Sequence, residues 1–255
     1  MSSTEPTRSS KEMTQTEYWR DVNLLSLEIE DAIAIVQTYE EIGRLAREDP
    51  EILLALNKEP LFWNVQVYSL QTSLFILLGR IFDQDPAARS IHTVVSATLG
   101  HLDFFSREAL RARKVVPGTP EPDWLDGFVA AAWVPDTVAD LRHLKKCLAP
   151  YQRAFEQVYR PIRHKIVAHR VIKNPEEAFD LFTATNRTEL ISILDFLHDL
   201  MDAIENLYLN GIRPKLGARS YSANNKRIKD QTGNVLKRLA ASYSEKNSRP
   251  PFDRT

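Results

Sequence analysis

The sequence predicts an all-α fold, an up-and-down helical bundle with additional helices, and three observations support this prediction. Apolar residues recur every three or four positions over long stretches, as they do on one face of an α-helix. Proline, glycine and capping residues interrupt these stretches at short intervals, which indicates short connections between helices. No stretch shows the alternation of apolar and polar residues that is typical of a β-strand. Together these features favour a helical bundle.

The first half of the chain is predicted to contain two long helices. The first runs from about Thr14 to Arg47 and is stopped by Asp49-Pro50. A short helix follows in EILLAL, and the second long helix opens after Glu59-Pro60. Because this second helix is apolar on more than one side, we expect it to be central and buried. The sequence DQDP, residues 83–86, ends it.

The second half of the chain carries further start and stop signals. The predicted elements are a helix from Ile91 to Leu99 capped by Ser90, a helix from Leu102 to Lys114, an exposed proline-rich loop over 115–124, a long helix opened by Pro135-Asp136, a loop in RVIKNP, and a last helix from Thr188 to Leu209 closed by Asn210-Gly211.

The chain is predicted to form one helical domain over residues 14–212, between a disordered N-terminus (1–13) and a basic, largely flexible tail (213–255). The tail has eleven Lys and Arg against three acidic residues, whereas the rest of the chain is acidic. Such a tail can contact nucleic acid, a membrane surface or the acidic body, or it can stay solvated. Within it, IKDQTGNVLKRLA can form a short amphipathic helix.

Composition points to a soluble cytoplasmic protein without membrane contact. The single cysteine, Cys147, excludes an internal disulfide and any CxxC-type zinc site. The first residues lack the apolar core of a secretory signal. Apolar stretches such as LFILL are shorter than the ~20 residues that span a bilayer.

The sequence RHKIVAHR, residues 163–170, concentrates two histidines and two arginines at the end of the long predicted helix. The apolar face of that helix continues through Ile162 and Ile166 to His169 at helical spacing. Arg163 is about 120° around the helix from His169, so both side chains can border one crevice. Pro161 implies a kink in the helix just before them.

These residues resemble the R-x4–6-H signature of the HEPN superfamily, with Arg163, a polar His164 directly after it, and His169. The segment LFWNVQVYSLQTSLFILLGRIFDQDPAARSIHTVV, residues 61–95, is similar to the abortive-infection (AbiU-type) branch of that superfamily. In that branch an aromatic-led helix ends in an Arg-hydrophobic-Phe/Leu-Asp turn, and a Ser-Ile helix start follows. The resemblance covers about residues 20 to 210.

The resemblance implies a metal-independent endoribonuclease of a defence or toxin–antitoxin system, with an active site where two motifs meet across a homodimer. RNA would be the substrate, an antitoxin protein could neutralise the activity, and no cofactor or metal is expected. His169 would transfer protons, Arg163 would bind the phosphate and His164 would be the positioning residue. Arg160 and Arg170 could hold flanking phosphates, although the family motif does not include them.

A non-catalytic interpretation stands beside this one. A histidine on the apolar face near a helix end often only donates hydrogen bonds, and an arginine beside it can pair with an acidic residue. The acidic body also disfavours RNA binding, because phosphate contacts dominate affinity for nucleic acid. The alternative is a helical interaction or scaffold protein in which the R-x5-H motif is structural.

Other polar groups are weaker candidates. His143 and Cys147 stand four residues apart but lack a carboxylate partner in the pattern, so they make a poor metal site. His198 and Asp202, four residues apart, can form a hydrogen-bonded pair at the surface, which we favour, or can support His169 from behind. The acidic group Glu28, Glu30 and Asp31 is interpreted as a solvated helix face.

Overall fold

The computed structural model describes residues 13–164, 186–217 and 222–248, and within these ranges it contains helices and no β-strand. The prediction of an all-α fold is therefore confirmed. The helices are α1 (Gln15–Glu48), α2 (Pro50–Lys58), α3 (Pro60–Ile81), α4 (Ile91–Gly100), α5 (Arg107–Lys114), α6 (Leu125–Ala131), α7 (Val138–Ala154), α8 (Arg160–Arg163), α9 (Arg187–Asn210) and α10 (Ser222–Ser248).

Local sequence signals set several of the helix boundaries. Thr14 and Glu17 form a capping box at the start of α1, each side chain accepting a backbone N–H of the other residue. Asp49 ends α1, and its carboxylate accepts the N–H groups of Glu51 and Ile52 to open α2. Ser90 caps α4 as expected from the sequence. These boundaries follow from residues adjacent in the chain.

The main core lies where α1, α3, α4, α7 and α9 pack together. Its completely buried side chains include Leu25, Leu78, Leu144 and Leu197. Removing this apolar surface from water contributes about 25 cal/mol per Å² to folding. The long helices therefore form the scaffold on which the shorter elements sit.

A smaller apolar cluster joins α10 to the C-terminal part of α1 and to α2. Leu236 and Ala240 of α10 are buried against Ile42 and Leu45 of α1 and against Ile52 of α2. The basic segment thus packs on the body in the described part of the chain, and α10, 27 residues long, extends well beyond the short helix expected there.

One helix prediction is wrong, and one helix was missed. The single helix predicted over 102–114 is divided into a 3-10 turn, Leu102–Phe105, and α5, because the Ser106 hydroxyl accepts the N–H of Ala109 and starts a new helix. Helix α6, which directly follows the proline-rich loop, was not predicted.

The prediction that the second long helix is buried holds for only half of α3. Leu74, Phe75 and Leu78 are buried in the main core, whereas Leu61 and Val65 are 81% and 60% exposed. Of the described helices, α3 alone has the length and composition to cross a membrane, with a mean hydropathy of 1.2, contrary to the expectation that every apolar stretch falls short of this.

Candidate functional site

The side chain of Arg163 lies across α3 at Gly79. A Cβ atom built on Gly79 would lie 2.3 Å from both Cδ and Nε of Arg163 and 2.6 Å from its Cζ. Non-bonded atoms cannot approach that closely, so any other residue at position 79 would displace the arginine. The missing side chain of Gly79 therefore creates the space in which the Arg163 guanidinium rests.

A π-helical turn, Phe155–Tyr159, connects α7 to α8 and carries the chain to Arg163. The N–H of Arg160 donates to the carbonyl of Phe155, five residues earlier, so the turn holds one extra residue. Pro161 has no N–H and its ring would crowd the carbonyl four residues before it in a regular helix. The π turn lets the helix continue through Pro161 to Arg163 instead of ending there.

Tyr159 anchors the π turn to the neighbouring helices. It is 0% exposed, and its hydroxyl lies 3.3 Å from Oε2 of Glu189 and 3.5 Å from the carbonyl of Asn186 at the start of α9. Burial raises the pKa of the Tyr159 phenol, and the Glu189 carboxylate raises this pKa further, so the hydroxyl keeps its proton and donates. The ring centroid is 6.3 Å from that of Phe75 in α3.

A cavity of about 220 Å³ lies beside Arg163. One wall is the end of α3 with the turn that follows it, and the other is the end of α7 with the π turn and α8. The polar side chains that line it are Asp83, Gln84, Asp85, Gln152, Glu156 and Arg160, together with Arg163. The DQDP sequence, expected only to stop a helix, thus supplies three of the polar lining residues.

Two glutamines hold the carboxylate of Glu156 in this cavity. Nε2 of Gln152 donates to Oε1 of Glu156 at 2.8 Å, and Nε2 of Gln84 donates to the same oxygen. Oε1 of Gln152 is 2.5 Å from Nε2 of His92, which extends the hydrogen-bonded chain to α4. The carboxylate is therefore fixed by neutral amides and not by the arginines.

Neither Arg160 nor Arg163 forms an ion pair with another residue in the ranges that the structure describes. The nearby carboxylates have other partners: Asp83 accepts the N–H of Asp85, and Asp85 accepts the N–H of Ala87. Arg160 is exposed and Arg163 is half-buried. Two guanidinium groups beside one cavity, without a carboxylate partner among described residues, can bind an anion such as a phosphate.

The structure brings together two of the five residues that the sequence suggested for the site. Arg160 and Arg163 line the same cavity, and His164 is exposed directly after them. His169 and Arg170 lie outside the described residues, so their placement beside Arg163 stays a prediction. The sequence analysis did not single out Gly79, Gln84, Gln152 or Glu156. Only Gly79 carried a local signal, as a glycine inside a long apolar helix.

The weaker candidates have ordinary structural roles. No three His, Cys, Asp or Glu residues come together as a metal site within the described ranges. Nδ1 of His143 lies 3.1 Å from the carbonyl of Asp140, one turn earlier. Glu28 is not part of a solvated face as expected: its carboxylate is only 15% exposed and pairs with Arg80 of α3.

Comparison with protein families gives a match to the model described as HEPN_AbiU2: AbiU2, over residues 19–248. Comparison with curated proteins and with solved structures gives no significant match. The family match covers most of the chain, including α10, and it confirms the resemblance to the AbiU-type branch of the HEPN superfamily.

Proposed function

Because the chain belongs to the AbiU2 family of HEPN domains, we propose that it is a metal-independent endoribonuclease of a defence or toxin–antitoxin system. The observation that supports this proposal is the Arg163 guanidinium, which rests on Gly79 beside a polar cavity without an ion-pair partner among described residues. An unpaired guanidinium binds a phosphate more readily than one that must first give up a carboxylate.

In the proposed reaction the ribose 2′-oxygen attacks the adjacent phosphorus and the bond from phosphorus to the 5′-oxygen breaks. His169 of one subunit takes the proton from the 2′-hydroxyl, and His169 of a second subunit gives a proton to the leaving 5′-oxygen. Arg163 neutralises the extra negative charge of the pentacoordinate phosphate through two parallel hydrogen bonds. The products are a 2′,3′-cyclic phosphate and a free 5′-hydroxyl, and no metal takes part.

The remaining residues of the motif have supporting roles in this proposal. His164, exposed at the end of α8, is the positioning residue that orients the phosphate. Arg160, three residues before Arg163, binds a flanking phosphate in the same cavity. Arg170 binds a further flanking phosphate. In a cell a neutralising antitoxin protein would inhibit this activity, and the enzyme would act in the cytoplasm.

The test is cleavage of a single-stranded RNA in the presence of EDTA by the full chain and its variants. We expect Arg163→Ala to lower kcat/KM by about 100- to 1000-fold and His169→Ala by about 100- to 10,000-fold. Arg153→Ala is the matched control, because Arg153 is exposed on α7 and outside the cavity. Arg163→Lys should recover little activity, since lysine keeps the charge but cannot form the paired hydrogen bonds.

Two product measurements sharpen the test. The 5′ fragments should end in a 2′,3′-cyclic phosphate, and a DNA strand of the same sequence should survive because it has no 2′-hydroxyl. Equal cleavage by wild type, Arg163→Ala and His169→Ala would refute the assignment.

A second candidate, a non-catalytic helical interaction protein, draws support from one feature of the same site. Asp83, Asp85 and Glu156 line the cavity beside the arginines, and carboxylates weaken the binding of phosphates nearby. In this case Arg163 only clasps α8 to α3. Arg163→Ala would then lower the melting temperature, and no RNA cleavage would be seen in wild type or variants.

A further inference from the structure

One exposed side of α10 carries most of the charge of that helix. The helix packs on the body through Gly233, Leu236 and Ala240, which are buried. Since each residue turns a helix by about 100°, an adjoining arc of about 120° holds residues 226, 227, 230, 234, 237, 238 and 241, and all of them are exposed. We call the basic side chains of this arc the α10 basic face; they are Lys226, Arg227, Lys237 and Arg238.

The charge of this arc suits a polyanion. Its other residues are Asp230, Asn234 and Ala241, so four positive charges stand beside one negative charge. None of the four basic side chains is ion-paired with another residue in the described ranges. Lys237 helps to lower the pKa of Glu41 in α1, but that carboxylate already bonds Arg44. The α10 basic face can therefore bind phosphates without first breaking an ion pair.

The start of α10 lies near the part of α3 that carries the candidate site. Lys229 lines a cavity of about 560 Å³ together with Phe75 of α3. Gly79, on which Arg163 rests, follows Phe75 by about one helical turn. The ring of Phe75 also packs near that of Tyr159 in the π turn that leads to Arg163. The α10 basic face therefore begins close to the elements that position Arg163.

We propose that the α10 basic face binds the phosphate backbone of single-stranded RNA and holds the strand for the site at Arg163. The choice of RNA rests on the proposed function, whereas the charge of the face does not. Phosphate contacts dominate affinity for nucleic acid, and residues 1–212 have an excess of acidic side chains. The α10 basic face supplies the positive charge that the body lacks.

An anionic membrane surface fits this side of α10 less well than RNA does. A helix that lies on a membrane buries large apolar side chains in the lipid. In α10 such side chains pack on the body instead: Leu236 is buried, and Leu239 and Tyr243 are partly buried, in the small apolar cluster. Among the described side chains of α10, Val235 is the one large apolar residue that is exposed.

The first measurement is the affinity of the full chain for a single-stranded RNA with methylated 2′-oxygens, at several salt concentrations. Such an RNA lacks the attacking hydroxyl of the proposed reaction, so it is bound without being cleaved. The variant combines Arg227→Gln and Arg238→Gln. Each lost phosphate contact lowers the slope of log affinity against log salt by about 0.7, so we expect the slope to fall by about 1.4 and the affinity at 0.1 M salt by about 25-fold.

The matched control combines Arg142→Gln and Lys145→Gln on α7, because both side chains are exposed and the same charge is removed. Circular dichroism checks folding, and Lys226→Gln with Lys237→Gln is a second variant of the α10 basic face. The inference is overturned if wild type does not bind the RNA, if both α10 variants keep the affinity and slope of wild type, or if the control loses as much. It is also overturned if the α10 variants lose binding to phosphatidylserine vesicles and keep binding to RNA.

Cleavage kinetics distinguish this inference from the proposed nuclease. With unmethylated RNA, the Arg227→Gln, Arg238→Gln variant should have a KM raised by about the same factor and an unchanged kcat. His169→Ala should lower kcat and leave the affinity for methylated RNA unchanged. A wild type that binds methylated RNA through the α10 basic face and cleaves no RNA would support the surface while refuting the nuclease. Cleavage with an unchanged KM in the α10 variant would do the reverse.

Discussion

Two of the cavities that contain arginines differ in how many of these arginines are ion-paired. The larger cavity, of about 560 Å³, lies between α1, α3, α9 and α10. Its Arg44 pairs with Glu41 and Glu48, and its Arg187 pairs with Glu40. In the smaller cavity, of about 220 Å³, Arg160 and Arg163 have no such partner among described residues. Two of the three arginines that line the larger cavity are thus ion-paired, whereas neither arginine of the smaller cavity has a carboxylate partner among described residues.

The comparison teaches that cavity size does not identify an anion site. The hydrogen bond to Glu40 raises the pKa of Arg187 above its ordinary value. A phosphate that binds Arg44 or Arg187 would have to displace a carboxylate, whereas one that binds Arg163 would displace no ion-pair partner among the described residues. Four predictions test this difference.

The largest effect is expected from Gly79→Ala, which removes the space occupied by Arg163. The new methyl group would overlap Cδ and Nε, so the guanidinium must move, and we expect kcat/KM for RNA to fall by about 100-fold, as when one transition-state donor is lost. Gly100→Ala is the matched control, because a Cβ at that helical glycine meets nothing within 4 Å. Equal activity of the two alanine variants, both folded by circular dichroism, would contradict the role of Gly79.

A smaller effect is expected from Tyr159→Phe, at the tyrosine that ties the π turn of the smaller cavity to the start of α9. The change removes the hydroxyl that reaches Glu189 and Asn186 and leaves the Glu189 carboxylate with one partner fewer. We expect the free energy of unfolding to fall by about 1 kcal/mol, as for a typical buried hydrogen bond. Chemical denaturation measures this, with Tyr39→Phe, at an exposed tyrosine that accepts from Gln71, as the control. A loss no larger than that of the control would show that the π turn is held by packing alone.

Glu156→Gln should raise the activity modestly. It removes a negative charge from the wall of the Arg163 cavity, while the new amide oxygen can still accept from Gln84 and Gln152. We expect kcat/KM to rise by about threefold, because the phosphate meets less repulsion. The counterpart in the larger cavity, Glu40→Gln, should leave the rate unchanged. A rate lowered by Glu156→Gln would instead assign the carboxylate a direct part in the reaction.

The smallest effect is a pH dependence of stability in the larger cavity. The hydrogen bond from Arg44 lowers the pKa of Glu41 below its ordinary value of 4.5, with Lys229 and Lys237 of α10 contributing. A carboxylate whose pKa is lower in the folded state stabilises the fold above about pH 4.5, and this stabilisation is lost as the pH falls through the folded pKa. Glu41→Gln should therefore reduce the drop in melting temperature between pH 6 and pH 3.

Glu48→Gln is the control for this pH dependence, because Glu48 bonds the same arginine but its side chain is 58% exposed, whereas that of Glu41 is 5% exposed. If the two glutamine variants lose stability equally steeply with acid, burial of Glu41 does not matter.

Most of the fold could be predicted from the sequence because its signals are local. Apolar spacing and caps such as Asp49 and Ser90 gave the order of the long helices, and Gly211 closes α9 with φ at 59°, as its position after Asn210 suggested. The break at Ser106 was missed because a serine between two helical stretches can cap or simply continue a helix.

The candidate site was less accessible to sequence reasoning. Arg163 and Gly79 are 84 positions apart in the chain, and no local pattern shows that one side chain rests on the other. The same holds for Glu156, whose glutamine partners come partly from the turn after α3. The exposure of the first half of α3 could not be predicted either. The sequence of a helix that is apolar on several sides does not show whether other helices of the chain pack on it.

The separate cluster under α10 gives the protein two units that can open independently. Leu236 and Ala240 share their buried contacts with the ends of α1 and α2 and with none of the residues of the main core. Detaching α10 therefore exposes only this small cluster, and the main core keeps its own contacts. We therefore expect the amides of α10 to exchange their hydrogens faster than those of α9. For the same reason we expect proteolysis to begin at α10.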